Sequence, residues 1–263
     1  MNICFIGYGN LAKALIEGLK HNKALQLFAT SPSLPAAFNT KGVSTHFNNS
    51  AFIKDADVIV LAVKPPQIIP ILTEISALLP ENCVLISVAA GISLSTIAAY
   101  CPPKQAIVRC MPNTPIAVGK GATAFIANDY VSKKQQDTIE CLFKPLSITA
   151  WLQREDEINA ITALSGSGPA YMFYFLEALI HAGEQVGLSR SLAQSFAKQT
   201  ALGALSLLDA NHLSLEELRQ KVTSKGGTTA AALDVLQEHN FADLIFQAIK
   251  AAYDRAKAMN ETH

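Results

Sequence analysis

The sequence predicts an α/β protein, with a doubly wound parallel sheet in its first half and an all-α second half. Three observations support this prediction. Apolar strand-like segments alternate with amphipathic helical segments up to Trp151, the pattern of parallel sheets covered by helices on both faces. A glycine-rich turn, GYGNLA, joins the first strand to the first helix. From Arg154 onward turn residues are sparse and helical periodicity dominates.

The predicted strands follow one another closely. Asn2 to Gly7, NICFIG, reads as a buried strand, and the next segment has Leu11, Leu15 and Leu19 at helical spacing. Asp57 to Val63, DVIVLAV, is uniformly apolar, as strands covered on both faces are. The other predicted strands are LQLFAT, GVSTHF, CVLISVAAG, QAIVRCMPNTP, GATAFIA and SITAWL, with helices between LQLFAT and GVSTHF, after Pro65 and Pro66, and near Ser132 to Phe143.

Composition argues against several classes of protein. Half of the 263 residues are hydrophobic, and 21 Lys and Arg balance 21 Asp and Glu, so no surface for nucleic acid is indicated. The apolar runs are too short to span a bilayer, and the chain starts with a strand-like run instead of a signal peptide. Five cysteines without CxxC spacing and six scattered histidines predict reduced thiols, no metal site and a cytoplasmic location.

The turn GYGNLA is a GxGxxA fingerprint between a strand and a helix. Gly7 permits the tight turn, Gly9 lets the backbone approach a pyrophosphate, and Ala12 allows close packing of helix on sheet. The N–H groups at the start of the helix face the phosphates. Such a motif alone is weak evidence, but this context predicts a Rossmann dinucleotide site formed by Gly7, Tyr8, Gly9, Asn10, Leu11 and Ala12.

The end of the second strand bears on the choice of nucleotide. NAD-binding folds tend to place Asp or Glu there, against the ribose hydroxyls. Here the residues are Ala29 to Pro32, without an acid, and Thr30 and Ser31 can hydrogen-bond a 2′-phosphate without repelling it. The pattern therefore favours NADPH, with NADH as the alternative, and the absence of arginine makes the preference soft. The alternative that Ser31 and Pro32 only start the next helix stays open.

The second half is predicted to consist of helices. They run through Tyr171, Phe175, Leu179 and Ala182, from about Ser189 to Leu208, from the N-cap Ser214 with Glu217 in a capping box, after Gly226 and Gly227, and from about Phe241. The boundary is predicted near Trp151 to Arg154, giving a dinucleotide-binding domain at 1–152 and a helical domain for dimerisation and substrate binding at 153–263. Such apolar helices favour burial against a second copy of the chain, and a monomeric bundle is the alternative.

Two glycine-containing loops lie in the second half. Thr223 to Leu233, TSKGGTTAAAL, leads into a helix and is predicted to cradle a carboxylate or phosphate with the N–H groups of that helix. A plain connector between helices is equally compatible with it. Leu164 to Tyr171, LSGSGPAY, interrupts a helical stretch, either for close approach to a ligand or as a kink.

Candidate acid–base residues are few. Lys64 follows the fourth strand and is a candidate general acid, although a solvated lysine is the favoured interpretation. His181 lies within a predicted helix and reads as a packed or paired residue. The cysteines read as small buried hydrophobic residues.

Six segments together resemble the pyrroline-5-carboxylate reductase family. In chain order they are FIGYGNLAKAL, ADVIVLAVKP, ISVAAGIS, RCMPNTP, ITALSGSGPAY and VTSKGGTTAAAL, and they cover essentially the whole chain. The resemblance implies reduction of the cyclic imine Δ1-pyrroline-5-carboxylate to L-proline by NADPH or NADH, the last step of proline biosynthesis. It also implies a homodimer that interlocks through the helical domain, often assembled into a ring of dimers, with the active site between the Rossmann and helical domains.

The resemblance also implies residue roles. Gly7 to Ala12 would hold the pyrophosphate, Thr30 and Ser31 the adenosine phosphate, and Asn49 the cofactor ribose. The nicotinamide side would be surrounded by Ala62, Val63, Lys64, Pro65, Ala89, Ala90, Gly91, Asn113, Thr114 and Pro115. Ser224, Gly226, Gly227 and Thr228 would hold the substrate carboxylate, and Thr229 would hydrogen-bond the ring nitrogen as the catalytic residue.

This chemistry suits the residues at hand. An imine carbon is already electrophilic, so hydride transfer needs mainly positioning, and the cofactor supplies the reactive atom. Lys225 departs from the family, which has proline there, so the loop loses a rigid φ and gains a cation. Two rivals are a β-hydroxyacid dehydrogenase, which would use a lysine such as Lys198, and a dinucleotide-sensing regulator without turnover.

Overall fold

The computed structural model describes residues 1–38 and 42–261 of the chain. The chain divides into two compact units, one of Met1–Pro169 with the chain from Ala251 onward, and one of Ala170–Lys250. The predicted boundary near Trp151 to Arg154, between a cofactor-binding and a substrate-binding domain, remains a prediction.

In the described part of the first unit, nine strands form one sheet. They are β1 (Asn2–Ile6), β2 (Gln26–Thr30), β3 (Ala37–Phe38), β4 (Val43–His46), β5 (Val58–Leu61), β6 (Val84–Ser87), β7 (Ala106–Met111), β8 (Gly121–Ala127) and β9 (Ser147–Trp151). The spatial order is β3-β4-β2-β1-β5-β6-β7-β8-β9. From β4 to β7 the neighbours are parallel, in the order of a doubly wound dinucleotide fold, which confirms the predicted fold class.

Helices cover both faces of this sheet. One apolar layer contains residues of α1 (Asn10–Leu19) and α4 (Lys133–Phe143), and the other contains residues of α2 (Ile68–Ile75) and α3 (Leu94–Ala98). Strand β1 supplies both layers, with Ile3 and Phe5 on one side and Cys4 and Ile6 on the other. This alternation follows from the two-residue period of a strand and explains why the central strands read as continuous apolar runs.

The prediction of a helix between the second strand and GVSTHF is wrong for residues 31–38. There the chain makes a turn, and β3 then pairs antiparallel with β4. Pro32 and Pro35 lack N–H donors, and Thr45 Oγ1 donates to the carbonyls of Pro35 and Ala37 at 2.9 and 3.1 Å. The alternative that Ser31 and Pro32 start a helix is therefore wrong too, and residues 39–41 lie outside the described residues.

One edge of the sheet departs from the purely parallel prediction. β8 runs antiparallel to β7, and β9 then pairs parallel with β8 across α4. The predicted strands GATAFIA and SITAWL and the helix between them are confirmed. Apolar periodicity identifies such strands but carries no information on their direction.

Helical periodicity located the later helices correctly, except for the short helix Glu157–Ile161, which was not predicted. They are α5 (Glu157–Ile161), α6 (Gly168–Gln185), α7 (Arg190–Asp209), α8 (Leu215–Lys221), α9 (Thr228–Glu238) and α10 (Phe241–Glu261). The predicted capping box of α8 is present, since Ser214 N donates to Glu217 Oε2 at 2.8 Å and Glu217 N donates to Ser214 Oγ at 3.2 Å. Among the helices of the described ranges, none combines the length and apolar character needed to cross a membrane.

Candidate active site

A cavity of about 500 Å³ opens at the carboxyl ends of β1, β2 and β5. Since β1 pairs with β2 on one side and β5 on the other, this is the point where the strand order reverses, the usual ligand site of doubly wound sheets. Of the residues predicted for the cofactor, the cavity is lined by Gly7, Tyr8, Gly9, Thr30, Ser31, Asn49, Ala62, Val63 and Lys64. A larger cleft of about 630 Å³ lies at the opposite strand ends, around Asp57 and Lys104.

The glycine turn is held in place by its neighbours. Gly7 has φ +99°, and a Cβ there would lie 2.4 Å from the carbonyl oxygen of Ala62, so no other residue fits the turn without strain. Gly9 is the N-cap of α1, and no described side chain caps this end of the helix. A Cβ on Gly9 would meet nothing within 4 Å. Uncapped N–H groups beside open space are the arrangement that a pyrophosphate requires, so the residues fit a dinucleotide.

Three of the fingerprint residues do not line the cavity. Asn10, Leu11 and Ala12 form the first turn of α1, and Ala12 is completely buried against the sheet. Their side chains therefore offer nothing to the cavity directly, and any contribution to a phosphate comes from their backbone N–H groups.

The part of the cavity beside the end of β2 is lined by neutral residues that carry hydroxyl groups. Thr30 is buried at the end of β2, and Ser31 Oγ lies 3.3 Å from Ser33 Oγ. Lys64 is the one charged side chain among the described residues that line the cavity, and it is exposed. No carboxylate of the described chain lines it, in agreement with the acid-free end of the second strand.

Five further residues that line the 500 Å³ cavity were not predicted from the sequence. Pro32, Pro66, Gln67, Pro70 and Ile71 also line the cavity. After Lys64 the chain makes a 3₁₀ turn, Pro65–Gln67, before α2, and this turn brings the start of α2 to the cavity. The Pro-Pro pair marked the helix start, but an apolar helix start by itself does not show which neighbour it faces.

The residues predicted for the nicotinamide side are spread more widely. Neither Ala89 to Gly91 nor Asn113 to Pro115 lines the 500 Å³ cavity. Gly91 has φ +74°, and a Cβ there would lie 2.6 Å from Cβ of Met259 near the end of α10. Asn113 Oδ1 accepts from the N–H of Ala122 at 2.9 Å. The Asn113 amide thus braces the loop after β7 against the start of β8.

The LSGSGPAY segment continues the helix through a π-helical turn. Residues Thr162–Gly166 adopt this turn between α5 and α6, with the N–H of Ser167 bonded to the carbonyl of Thr162 at 2.9 Å. Asn113 Nδ2 donates to the carbonyl of Ser165 at 3.2 Å, and a Cβ on Gly166 would lie 3.4 Å from Met111 Sδ. A side chain at this glycine would make only an ordinary van der Waals contact with β7, so space does not demand glycine there. π-helical turns of this kind are frequent at functional sites.

An ion pair between a buried arginine and a partly exposed glutamate was not predicted from the sequence. Arg109 interrupts the apolar strand β7, its side chain is 2% exposed, and its Nη1 lies 2.5 Å from Glu155 Oε1. The same oxygen accepts from the N–H of Leu94 at the start of α3, at 2.7 Å. The pair ties β7 and α3 to the segment that precedes α5. An arginine within a strand otherwise made of apolar residues was the available signal.

Cys4, Cys83 and Cys110 are buried core residues and Cys101 is half-buried, whereas Cys141 is exposed, so the interpretation as buried residues is wrong for Cys141. Burial raises the pKa of the Cys4, Cys83 and Cys101 thiols to about 12, and burial also raises the pKa of Cys110. A thiol with such a pKa is almost wholly protonated at neutral pH and is a poor nucleophile. Among the described residues no group of three or more His, Cys, Asp or Glu side chains is placed to hold a metal ion.

The loop before α9 belongs to the second unit and has a geometry of its own. Gly226 has φ +72°, and Gly227 is the N-cap of α9 with no capping side chain in the described ranges. A Cβ on Gly227 would lie 2.4 Å from Ser224 Oγ, and the N–H of Gly227 donates to the carbonyl of Ser224 at 3.0 Å. The left-handed conformation of Gly226 favours glycine, and a side chain at Gly227 would require Ser224 Oγ to move away. The loop leaves uncapped N–H groups beside Thr228 and Thr229.

The fold and the cavity define a dinucleotide-binding oxidoreductase with a helical second half. Residues 2–91 match the family described as NADP oxidoreductase, coenzyme F420-dependent, and residues 155–259 match the family for pyrroline-5-carboxylate reductase dimerisation. A pyrroline-5-carboxylate reductase of Pseudomonas aeruginosa is 38% identical over 98% of this chain and 97% of its own length.

Solved structures give the same result. The pyrroline-5-carboxylate reductase of Coxiella burnetii is 40% identical with a TM-score of 0.89, covering 98% of both chains. The pyrroline carboxylate reductase of Plasmodium falciparum, solved with NADP bound, is 30% identical with a TM-score of 0.90, covering 99% of this chain and 98% of its own. The chain belongs to the pyrroline-5-carboxylate reductase family, and the β-hydroxyacid dehydrogenase interpretation is dropped.

Proposed function

We propose that this enzyme reduces Δ1-pyrroline-5-carboxylate to L-proline with NAD(P)H, the last step of proline biosynthesis. One observation carries the proposal: a dinucleotide cavity at the switch point of the sheet, in a chain that matches pyrroline-5-carboxylate reductases from end to end. NAD(P)H, when bound, supplies the hydride that adds to the imine carbon.

The chain's own residues bind and orient the cofactor. Gly7 to Ala12 hold the pyrophosphate with backbone N–H groups, Thr30 and Ser31 meet the adenosine end, and Asn49 meets the ribose. Support comes from the open space at Gly9 and the lining positions of Thr30, Ser31 and Asn49. Ala62 to Pro65, Ala89 to Gly91 and Asn113 to Pro115 form the nicotinamide side. NADPH is the preferred cofactor, because no acid lines the adenosine end to repel a 2′-phosphate.

The loop before α9 binds the substrate. Ser224, Gly226, Gly227 and Thr228 hold the carboxylate, because uncapped N–H groups at a helix start and neutral hydroxyls suit a small anion. Thr229 hydrogen-bonds the ring nitrogen and thereby orients the imine for attack. Because the imine carbon is already electrophilic, orientation is the main task of these residues. Lys64, exposed at the cavity, interacts with solvent or phosphates and does not act as a general acid.

The match to a dimerisation family supports a homo-oligomer. We infer that it is a dimer through the helical domain, with a ring of dimers as the larger assembly, and that it works in the cytoplasm. The second unit supports this, since its helices expose large apolar side chains, among them Phe173, Phe175 and Phe196. Light scattering of the purified protein will give the number of chains in the assembly.

Nicotinamide absorbance tests the proposed reaction. Purified protein is mixed with Δ1-pyrroline-5-carboxylate and either NADPH or NADH, and proline is quantified as product. We expect oxidation with both cofactors, with the larger kcat/KM for NADPH. A folded protein that binds NADPH without oxidising it in the presence of substrate contradicts the reductase proposal and supports a dinucleotide sensor.

A further inference from the structure

A hydrogen-bonded chain of three residues lies at the adenosine end of the cavity. Thr30 Oγ1 donates to Asn49 Oδ1 at 3.2 Å, and Asn49 Nδ2 donates to Glu74 Oε2 at 2.9 Å. Thr30 and Asn49 line the cavity, whereas Glu74 stands behind Asn49, exposed on α2. A carboxylate thus reaches this end of the cavity through one intervening side chain.

The carboxylate determines how Asn49 is oriented. An ionised carboxylate only accepts hydrogen bonds, so Asn49 must turn its Nδ2 toward Glu74 and its Oδ1 toward Thr30. Each amide end keeps one further capacity, an N–H on Nδ2 and a lone pair on Oδ1. An amide held in this way suits a ribose hydroxyl, which both donates and accepts.

Glu74 supplies a carboxylate near the place where other dinucleotide folds have an acid at the end of the second strand. In dinucleotide folds an acid at the end of that strand binds the ribose hydroxyls and opposes a 2′-phosphate. Here β2 ends in Ala29, Thr30 and Ser31 without an acid. Glu74 comes instead from α2, 25 residues beyond Asn49, and its charge lies next to the same side chains.

We infer that Glu74 is a positioning residue that limits the preference of this enzyme for NADPH over NADH. It holds Asn49 toward the ribose, which supports both cofactors, and its negative charge opposes a 2′-phosphate, which weakens NADPH alone. The inference rests on the proposed function only in assigning the cavity to a nicotinamide dinucleotide.

Binding of NADP⁺ and NAD⁺ by calorimetry, without turnover, tests the charge. Glu74→Gln removes the charge and keeps an acceptor for Asn49. We expect it to tighten NADP⁺ by roughly threefold at low salt and to leave NAD⁺ unchanged, with the difference fading at high ionic strength. Glu81→Gln, an equal charge change on the exposed cleft at the opposite strand ends, is the matched control. Equal tightening of both cofactors, or the same effect from Glu81→Gln, overturns the inference.

Glu74→Ala tests the orientation of Asn49. It removes the acceptor, so NAD⁺ affinity is expected to fall roughly threefold to tenfold, the usual effect of one lost hydrogen bond. In an Asn49→Ala background the same substitution is expected to change NAD⁺ affinity by less than about twofold, because the side chain it positions is gone. If Glu74→Ala lowers NAD⁺ affinity just as much in the Asn49→Ala background, Glu74 does not act through Asn49.

Kinetics separates this inference from the proposed function. If the NADP⁺ to NAD⁺ affinity ratio changes as expected while Δ1-pyrroline-5-carboxylate is not reduced, the role of Glu74 stands and the reductase proposal fails. If the reaction proceeds and the affinity ratio does not change, the reductase proposal stands and the inference on Glu74 fails.

Discussion

Two turns in this chain look alike from their backbone and differ in what surrounds them. Gly7 to Gly9 lead into α1, and Gly226 with Gly227 lead into α9. Each turn contains one glycine with positive φ, +99° at Gly7 and +72° at Gly226. Each helix starts at an extended glycine N-cap, with ψ −174° before α1 and 170° before α9, and without a capping side chain in the described chain.

The difference lies in which glycine is crowded. In the first turn the positive-φ Gly7 is crowded, by the backbone after β5, while the N-cap Gly9 faces open space. In the second turn the positive-φ Gly226 faces open space, while the N-cap Gly227 is crowded by Ser224 of its own loop. The first turn is therefore shaped by the sheet and the second by its own few residues. Substitutions in the first turn should therefore lower the stability of the fold, whereas substitutions in the second turn should affect only that loop.

The largest effect is expected from Gly7→Ala. Positive φ and a Cβ 2.4 Å from a backbone oxygen should lower the free energy of unfolding by roughly 2–4 kcal/mol. Cofactor binding should be lost, because we propose that this turn binds the pyrophosphate. Thermal unfolding and an NADPH titration measure the two effects. A variant with the melting temperature and affinity of the wild type shows that the turn is not held by the sheet.

Thr229→Ala should act on chemistry alone. Losing the hydroxyl that we propose orients the imine is expected to lower kcat by roughly tenfold to a hundredfold, with NADPH affinity unchanged. Thr229→Ser keeps the hydroxyl and should recover most of the activity, whereas Thr228→Ala should mainly raise KM for the imine. Steady-state kinetics and NADPH binding separate these outcomes, and equal losses of kcat and NADPH affinity contradict the assignment.

Gly9→Ala separates binding from stability. Because a Cβ there meets nothing within 4 Å, the variant should fold with its free energy of unfolding changed by less than about 1 kcal/mol. If the proposed pyrophosphate site is correct, the methyl group would occupy the space of the phosphates, and NADPH affinity should fall about tenfold. Gly7→Ala serves as the comparison, since both properties change there. Unchanged affinity argues that the phosphates do not approach Gly9.

Gly227→Ala tests the local character of the second turn. Ser224 Oγ must move away, so KM for the imine should rise roughly fivefold while the melting temperature stays within a few degrees. In a Ser224→Ala background the crowding is relieved, and Gly227→Ala should add little further loss. A large drop in melting temperature shows instead that this turn supports the second unit.

The smallest effect is expected from Lys225→Pro, which restores the residue usual in the family. Lys225 is exposed, so its charge is largely screened, and KM for the imine should change by less than about threefold. The wild-type KM should depend more on ionic strength than that of the variant. A tenfold change at constant ionic strength means that the lysine contacts the carboxylate.

Local patterns predicted most of the fold. Apolar periodicity, glycines and capping residues, which act within a few neighbouring positions, predicted most elements. These are strands β1, β2 and β4 to β9 and helices α1, α2, α4 and α6 to α10. The helix expected between β2 and β4 does not form at residues 31–38, where Pro32 and Pro35 supply no N–H donors. The antiparallel pairing of β8 was also missed, since strand direction leaves no trace in periodicity.

The sequence alone determined where the two glycine turns before α1 and α9 lie, because glycines, small residues and a following helix are local features of the chain. Only the tertiary structure decided which side chains meet across the fold. Glu74 reaches Asn49, Glu155 reaches Arg109 and Ser165 reaches Asn113 over separations of 25, 46 and 52 residues. Such pairs arise only once the order of strands brings distant segments to one edge of the sheet, and no local pattern records that order.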